Sequence, residues 1–307
     1  MPIVAVAGLS YSPLLYRERS QWPKIAEFLR GTAIQPKSAS EETDVVLDDF
    51  AGRIANAFAM LERGIIDAKL DALILICADR GSQFDPSHVP QLHIQVGGEI
   101  WGNPALSQLG ETQKRLTFKC EESVADLLIE ELVREGFDIA EGRELFVPVG
   151  DPGVGITPAA CHALERVGAG LPVIPITINC HIAPAISGHR AHRFGQALAN
   201  VSALTDKRLG VLISGGLSGD PHGRMAGWVD EVFDRWLLRR IERGGSTALA
   251  RIWDAVSANL LVGSTAEVRL WTVAAAAAEQ AGLKATVHDY MPIHAAAAGV
   301  AFVSWEL

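Results

Sequence analysis

The residues of this chain whose type and place suit chemistry are a tyrosine directly behind an apolar run, an arginine closing a second run, a histidine just past a Gly-Gly-Leu-Ser turn and a glutamate in a Ser-x-x-Glu motif. They are Tyr11, Arg80, His222 and Glu267. A phenol could act as an acid or hydrogen-bond donor here if a neighbouring guanidinium such as Arg80 lowered its pKa. Arginine does not ordinarily give up its proton to bind a metal, but it matches a carboxylate or phenolate well. Asp79, beside Arg80, and Ser218, in the Gly-rich turn, are expected to join it in binding substrate. His222 is a loop histidine that the same turn could swing toward a pocket; an exposed, idle imidazole is the plainer alternative. Glu267 is also open to two readings, because Ser264-Thr265-Ala266-Glu267 fits a capping box that satisfies amides at a helix start.

The remaining candidates are weaker. The nine histidines include His88, His93 and His181, with His189 and His192 at the i, i+3 spacing that places two ligands on one helix face. No third ligand of obvious placement accompanies that pair, so a solvated helix start is the expectation. Cys77, Cys120, Cys161 and Cys180 are scattered without a C-x-x-C pair and are expected to be core thiols.

Short β-branched runs alternate with segments of helical period, which predicts a single α/β domain over residues 1–307 with a central mixed sheet flanked by helices. The strand candidates are Ile3 to Ala7, Ala72 to Cys77, Val173 to Ile178, Leu209 to Ser214 and Ala285 to His288. From Asp44 to Ile66, Val45, Phe50, Ile54, Phe58, Leu61 and Ile65 recur near helical spacing. Cys120 to Glu135 and Gly188 to Leu204 read likewise. Several strands end in polar or glycine-rich turns, and in open α/β sheets ligands sit at the carboxyl ends of strands. Those turns carry Tyr11, Arg80 and Ser218.

Composition narrows the partners. Hydrophobic residues make up 49% of the 307, enough for a substantial core, while a formal net charge of -9 argues against a phosphate-backbone binder. The apolar runs are far shorter than the roughly 20 residues of a membrane span, and Met1 to Gly8 lacks a basic region typical of a signal peptide. The expectation is a cytoplasmic protein with neither nucleic acid nor membrane as partner.

Taken in order, the turns resemble the class III extradiol dioxygenases, the family of the protocatechuate 4,5-dioxygenase beta subunit. Members commonly begin with a strand and Ser-His-x-Pro, matched here by Ser10-Tyr11-Ser12-Pro13. A hydrophobic strand ending in Asp-His is matched by Leu73 to Cys77 leading into Ala78-Asp79-Arg80. Gly-Gly-x-Ser-His is matched by Gly215-Gly216-Leu217-Ser218-Gly219, and a glutamate near the start of a late helix by Glu267. Tyr290-Met291-Pro292 followed by Ala297-Ala298-Gly299 is similar to the family's C-terminal strand region. The resemblance covers nearly the whole chain.

The resemblance implies ferrous iron held by two histidines and a carboxylate, with a further histidine as acid and base. At those histidine positions this chain has Tyr11, Arg80 and Gly219, and Pro152 stands where another family histidine is common. Glu267 alone is retained. No cofactor is therefore expected, iron entering only through an unconventional site, and Arg80 is expected to turn a cation site into an anion site. Three functions follow. One is a metal-independent enzyme on a phenolic acid or ring-cleavage product, with Tyr11, His222 and Glu267 catalytic and Arg80, Asp79 and Ser218 binding a small aromatic or carboxylate ligand. The others are a silent subunit of an active dioxygenase, and a dioxygenase with an unconventional metal site. A homo-oligomer, or a hetero-oligomer with a related subunit, is expected from the resemblance. A silent subunit should show a collapsed pocket and a large apolar patch, an enzyme an open pocket lined by Tyr11 and Arg80.

Overall fold

The computed structural model describes residues 3–81, 83–84, 87–143, 155–254 and 263–306. The strands are β1 (Ile3–Leu9), β2 (Ala72–Ala78), β3 (Leu92–Gln95), β4 (Glu99–Gly102), β5 (Leu116–Lys119), β6 (Ala140–Gly142), β7 (Val173–Ile178), β8 (Leu209–Ser214), β9 (Lys284–Ile293) and β10 (Ala298–Glu306). The helices are α1 (Trp22–Arg30), α2 (Asp44–Asp67), α3 (Glu122–Arg134), α4 (Pro158–Val167), α5 (Gly188–Ser202), α6 (Glu231–Glu242), α7 (Ser246–Ala250) and α8 (Val268–Gln280). Eight strands form one sheet in the order β6-β3-β7-β2-β8-β1-β10-β9, and β4 pairs separately with β5.

The central strands β7, β2, β8 and β1 run parallel to one another. On one side β10 and β9 add antiparallel strands, and on the other β3 lies antiparallel to β7. The expected mixed sheet flanked by helices is what the chain forms. Parallel strands need coverage on both faces, and β2 explains how that is coded. Its Ile74, Ile76 and Ala78 point into a core shared with α3, α5, α6 and α8, while Leu73, Leu75 and Cys77 point into a second core with α1, α2 and α4. Every residue of β2, β7 and β8 is buried, so their sequences read as unbroken apolar runs. Among the described residues no helix is long and apolar enough to cross a membrane.

Helix starts are fixed by short polar side chains. Thr157 accepts from Ala160 N at 3.2 Å to open α4, Ser187 from Arg190 N at 3.1 Å to open α5, and Asp230 from Phe233 N at 2.9 Å to open α6.

Beyond its capped start, α6 is pinned to the sheet by a buried carboxylate. Asp234 accepts from Ser218 N at 2.8 Å, Ser218 Oγ at 2.7 Å and Tyr290 Oη at 3.0 Å. It can approach only because residue 299 is glycine: a Cβ there would lie 1.8 Å from Asp234 Oδ2. Ser218, expected to bind substrate, is thus spent on tying the turn after β8 to α6. Its hydroxyl also accepts from Asp230 N at 2.9 Å.

Burial raises the Asp234 pKa to about 6, outweighing the three hydrogen bonds that favour its anion. A folded-state pKa above the unfolded one means that this contribution is present at low pH and is lost as pH rises through about 6. Asp234→Ala, which orphans three donors, should cost about 2–4 kcal/mol in urea unfolding. Asp234→Asn, which cannot ionise, should flatten that part of the stability profile, measured by the same unfolding between the ordinary aspartate range and neutral pH.

Candidate active site

The carboxyl ends of β1, β2, β7 and β8 lie side by side, and the residues that follow them meet. Behind β1, Ser10 is locked to β10, its amide donating to Ala301 O and its hydroxyl accepting from Ala301 N, both at 3.0 Å. Ser12 Oγ donates to Ala296 O at 3.0 Å. These two anchors hold Tyr11 between them. Behind β2, Asp79 accepts from the amides of Gly81, Gln83 and Phe84 at 3.0, 2.9 and 3.2 Å. Its carboxylate shapes the turn that presents Arg80, a job for which Asp is well suited. Among the described residues that line the cavity below, Asp79 is absent.

Arg80 closes on Glu267. Its Nε donates to Glu267 Oε1 at 2.7 Å and its Nη2 to Ser264 Oγ at 3.1 Å, while Nη1 has no partner among the described residues. His181, behind β7, brings Nε2 to the same Oε1 at 2.9 Å, and Gly216 N, behind β8, donates to Oε2 at 2.7 Å. One carboxylate thus gathers the ends of three parallel strands. Burial alone would raise the Glu267 pKa, but Arg80 and His181 outweigh it and hold it down at about 2. The capping-box reading fails for a specific reason: Ser264 Oγ and both Glu267 oxygens have other partners, and α8 starts without a side-chain cap. Glu267 is a saturated anion rather than a base.

Tyr11, Arg80 and Glu267 line a cavity of about 300 Å³. Pro13, Phe28, Leu29, Leu106, Pro158 and Ala296 give it apolar walls. The Tyr11 hydroxyl bonds to no described residue. Burial pushes its pKa above the ordinary phenol range, and Arg80 and Arg17 offset only part of this. Arg80 does lower it, but burial outweighs that lowering. Tyr11 stays a neutral donor.

His222 stands at the cavity mouth, exposed and yet lining it. Its backbone is left-handed, with φ 65, and its amide donates to Leu29 O at 2.8 Å. The ring meets Phe28 edge-on with centroids 4.6 Å apart. Gly219, where the resemblance implies an acid/base histidine, has no room for one: a Cβ would lie 2.4 Å from Ala297 O. Pro152, with Asp151 and Gly153, lies outside the described residues.

His88, His93 and His192 do not line the cavity. His93 is buried on β3 and held neutral by burial, its pKa lowered to about 4. His88 lies against Phe84, and His192 joins Ser246 Oγ at 3.0 Å across α5 and α7. Among the described residues no three His, Cys, Asp or Glu side chains group as they would to hold a metal. The cysteines are free, and three of the four are buried.

A layer behind Tyr11 was not foreseen. Its ring lies 5.9 Å from Tyr16 and 6.2 Å from His162, which stack on each other at 4.5 Å. Burial and then the Arg17 charge lower the His162 pKa to about 3, so the neutral ring accepts from Arg17 Nη1 at 3.1 Å. Arg17 in turn is bidentate to Glu111 at 2.8 and 2.7 Å. This stack fixes the plane of Tyr11. Pairing an aromatic at 16 with a histidine at 162 requires the fold, and the only local signal was a histidine inside an apolar helix.

With this geometry in view, comparison with known proteins is direct. Residues 48–301 match the family described as the catalytic LigB subunit of aromatic ring-opening dioxygenase, and the chain belongs to that family. A 2,3-dihydroxyphenylpropionate/2,3-dihydroxicinnamic acid 1,2-dioxygenase of Photorhabdus laumondii subsp. laumondii is 31% identical over 229 residues, covering 60% of this chain and 70% of that protein. A protein of the same description from Mycolicibacterium paratuberculosis is 25% identical over 309 residues, covering 83% of this chain and 91% of its own.

Glu267→Gln should uncouple the strand ends. Breaking a buried ion pair costs about 3–5 kcal/mol, and the 37% exposure of the Arg80 side chain reduces the expected loss to about 2 kcal/mol. Because the folded pKa is depressed, this contribution is present above the ordinary glutamate range and is lost as pH falls toward about 2. Acid titration of unfolding for the wild type and Glu267→Gln should therefore converge at low pH.

Proposed function

We propose that this member of the extradiol dioxygenase family acts in aromatic-compound catabolism as a metal-independent enzyme on a small aromatic acid or a ring-cleavage product. The observation that carries the reading is the Arg80 guanidinium 2.7 Å from Glu267. A fixed cation sits on the carboxylate that the resemblance assigns to iron, and that carboxylate's lone pairs are taken by Arg80, His181 and Gly216. Adding a dication there means setting it beside an arginine that cannot deprotonate. Tyr11 is held as a neutral phenol, and the described donor set does not fit ferrous iron. An open cavity with apolar walls and an unengaged arginine edge suits a planar acid instead. The relatives are named for 2,3-dihydroxyphenylpropionate and 2,3-dihydroxicinnamic acid, both acids on an aromatic ring.

Within this reading Arg80 anchors the ligand's anionic or carbonyl oxygen, Tyr11 donates to it and His222 moves a proton at the mouth. Asp79, Glu267 and Ser218 hold the frame. The protein is read as cytoplasmic.

A second reading, a silent subunit, draws on one observation. Ile34 is 84% and Trp228 42% exposed, and Trp228 Nε1 donates to Ile34 O at 2.7 Å, so two large apolar side chains lie together on the surface. They favour an oligomer, homomeric or with a related subunit. The open cavity lined by Tyr11 and Arg80 favours an active protein over a silent one.

Protein purified anaerobically with iron supplied should carry far less than one iron per chain and consume no oxygen with catechols. In contrast, the double variant Tyr11→His/Arg80→His should gain iron, read by metal analysis. Calorimetry with 3-phenylpropionate should give binding to the wild type that weakens at least about tenfold in Arg80→Met, the loss of one charge-assisted hydrogen bond. Stoichiometric iron with oxygen uptake in the wild type would overturn the proposal.

A further inference from the structure

Among the described residues Tyr11 Oη and Arg80 Nη1 are donors of the cavity lining without an acceptor, and His222, at the mouth, is a group able to take a proton. Tyr11 Oη bonds to no described residue, and Arg80 Nη1 is the one guanidinium nitrogen left unpaired after Nε and Nη2 are held by Glu267 and Ser264. Both groups are fixed before any ligand arrives. Tyr11 is held by the Tyr16 and His162 rings, and Arg80 by two hydrogen bonds. Donors so preorganised are most effective where negative charge develops during a reaction, on an oxygen that is a carbonyl before and an enolate after. Glu267 cannot serve as the base because three donors occupy it. His222, exposed and with its ring against Phe28, can.

Resting on the proposed function, we infer that the cavity is an enolate site: Tyr11 and Arg80 form an oxyanion hole, His222 is the proton carrier, and the substrate class is an enolisable 2-oxo acid with a flat apolar body. His222 removes a proton from the carbon next to the carbonyl. The C–H electron pair becomes the carbon–carbon double bond, and the carbonyl π pair moves onto oxygen, facing Tyr11 Oη and Arg80 Nη1. Returning the proton to oxygen gives the enol, and returning it to carbon restores the ketone. The net change is an isomerisation, so no oxidant, reductant or second substrate is needed. The apolar walls accept the flat body, and the arginine edge also suits the adjacent carboxylate. A ring-opening reaction that leaves an enol beside a carboxylate supplies such a substrate.

The test uses phenylpyruvate, an aromatic 2-oxo acid whose C3 protons exchange through its enol. Deuterium incorporation at C3 is followed by proton NMR in deuterated buffer, with binding measured separately by calorimetry. The wild type should accelerate exchange over buffer. Tyr11→Phe should lower kcat at least about tenfold with little change in KM, since it removes a bond made chiefly to the enolate. His222→Ala should lower kcat by about 10², and added imidazole should restore part of it, because the position opens to solvent. Such rescue would not follow from a merely structural histidine. Binding without exchange, or exchange unaltered in Tyr11→Phe, would overturn the enolate site while leaving the aromatic-acid reading intact. Failure of phenylpyruvate and 3-phenylpropionate alike to bind would overturn both.

Discussion

The ion pair between Arg80 and Glu267 is the constraint on which the rest of the site depends. A carboxylate buried to 4% exposure must be compensated, and here it is compensated by an arginine from the end of β2, a histidine from the end of β7 and an amide from the end of β8. Three strands that could splay at their carboxyl ends are thereby drawn to one point. The same contact fixes which edge of the guanidinium is left for a ligand, while burial keeps Tyr11 protonated against the pull of Arg80. A single side-chain pairing sets geometry, protonation and ligand preference together.

Around it, the sheet supplies position and the loops supply chemistry. Each residue that reaches the cavity from a strand end is steadied by a neighbour doing structural work: Ser10 and Ser12 around Tyr11, Asp79 before Arg80, Asn179 Oδ1 accepting from the amides of His181 and Ile182. Asp79 and Ser218, each adjacent in sequence to residues around the cavity, bond to backbone amides and to Asp234 respectively.

How much of this could be read from the chain differs by element for physical reasons. β2, β7 and β8 were legible to within a residue because strands buried on both faces leave mostly apolar runs rich in Ile, Leu and Val. β9 was read as four residues, Ala285 to His288, although it runs from Lys284 to Ile293, because its second half carries Asp289 and Pro292. The short strands β3 and β6 went unread, since neither is long enough for a period to emerge. Tyr11, Arg80 and His222, singled out from the turns that carry them, line one cavity. Glu267 stayed ambiguous because a capping box and a buried ion-pair acceptor have the same local sequence, and only the position of Arg80 separates them. The ring stack behind Tyr11 joins residues far apart in the chain and leaves no local trace.

Gly219 limits what its turn can carry. The backbone there runs so close to Ala297 that even a methyl group would strike the carbonyl oxygen. Placing a histidine at this position is therefore not a matter of one codon; the start of β10 would have to retreat as well, against the amide of Gly299 donating to Ser218 O at 2.7 Å. An imidazole reaching the cavity from this turn has to come from further along it, where His222 stands.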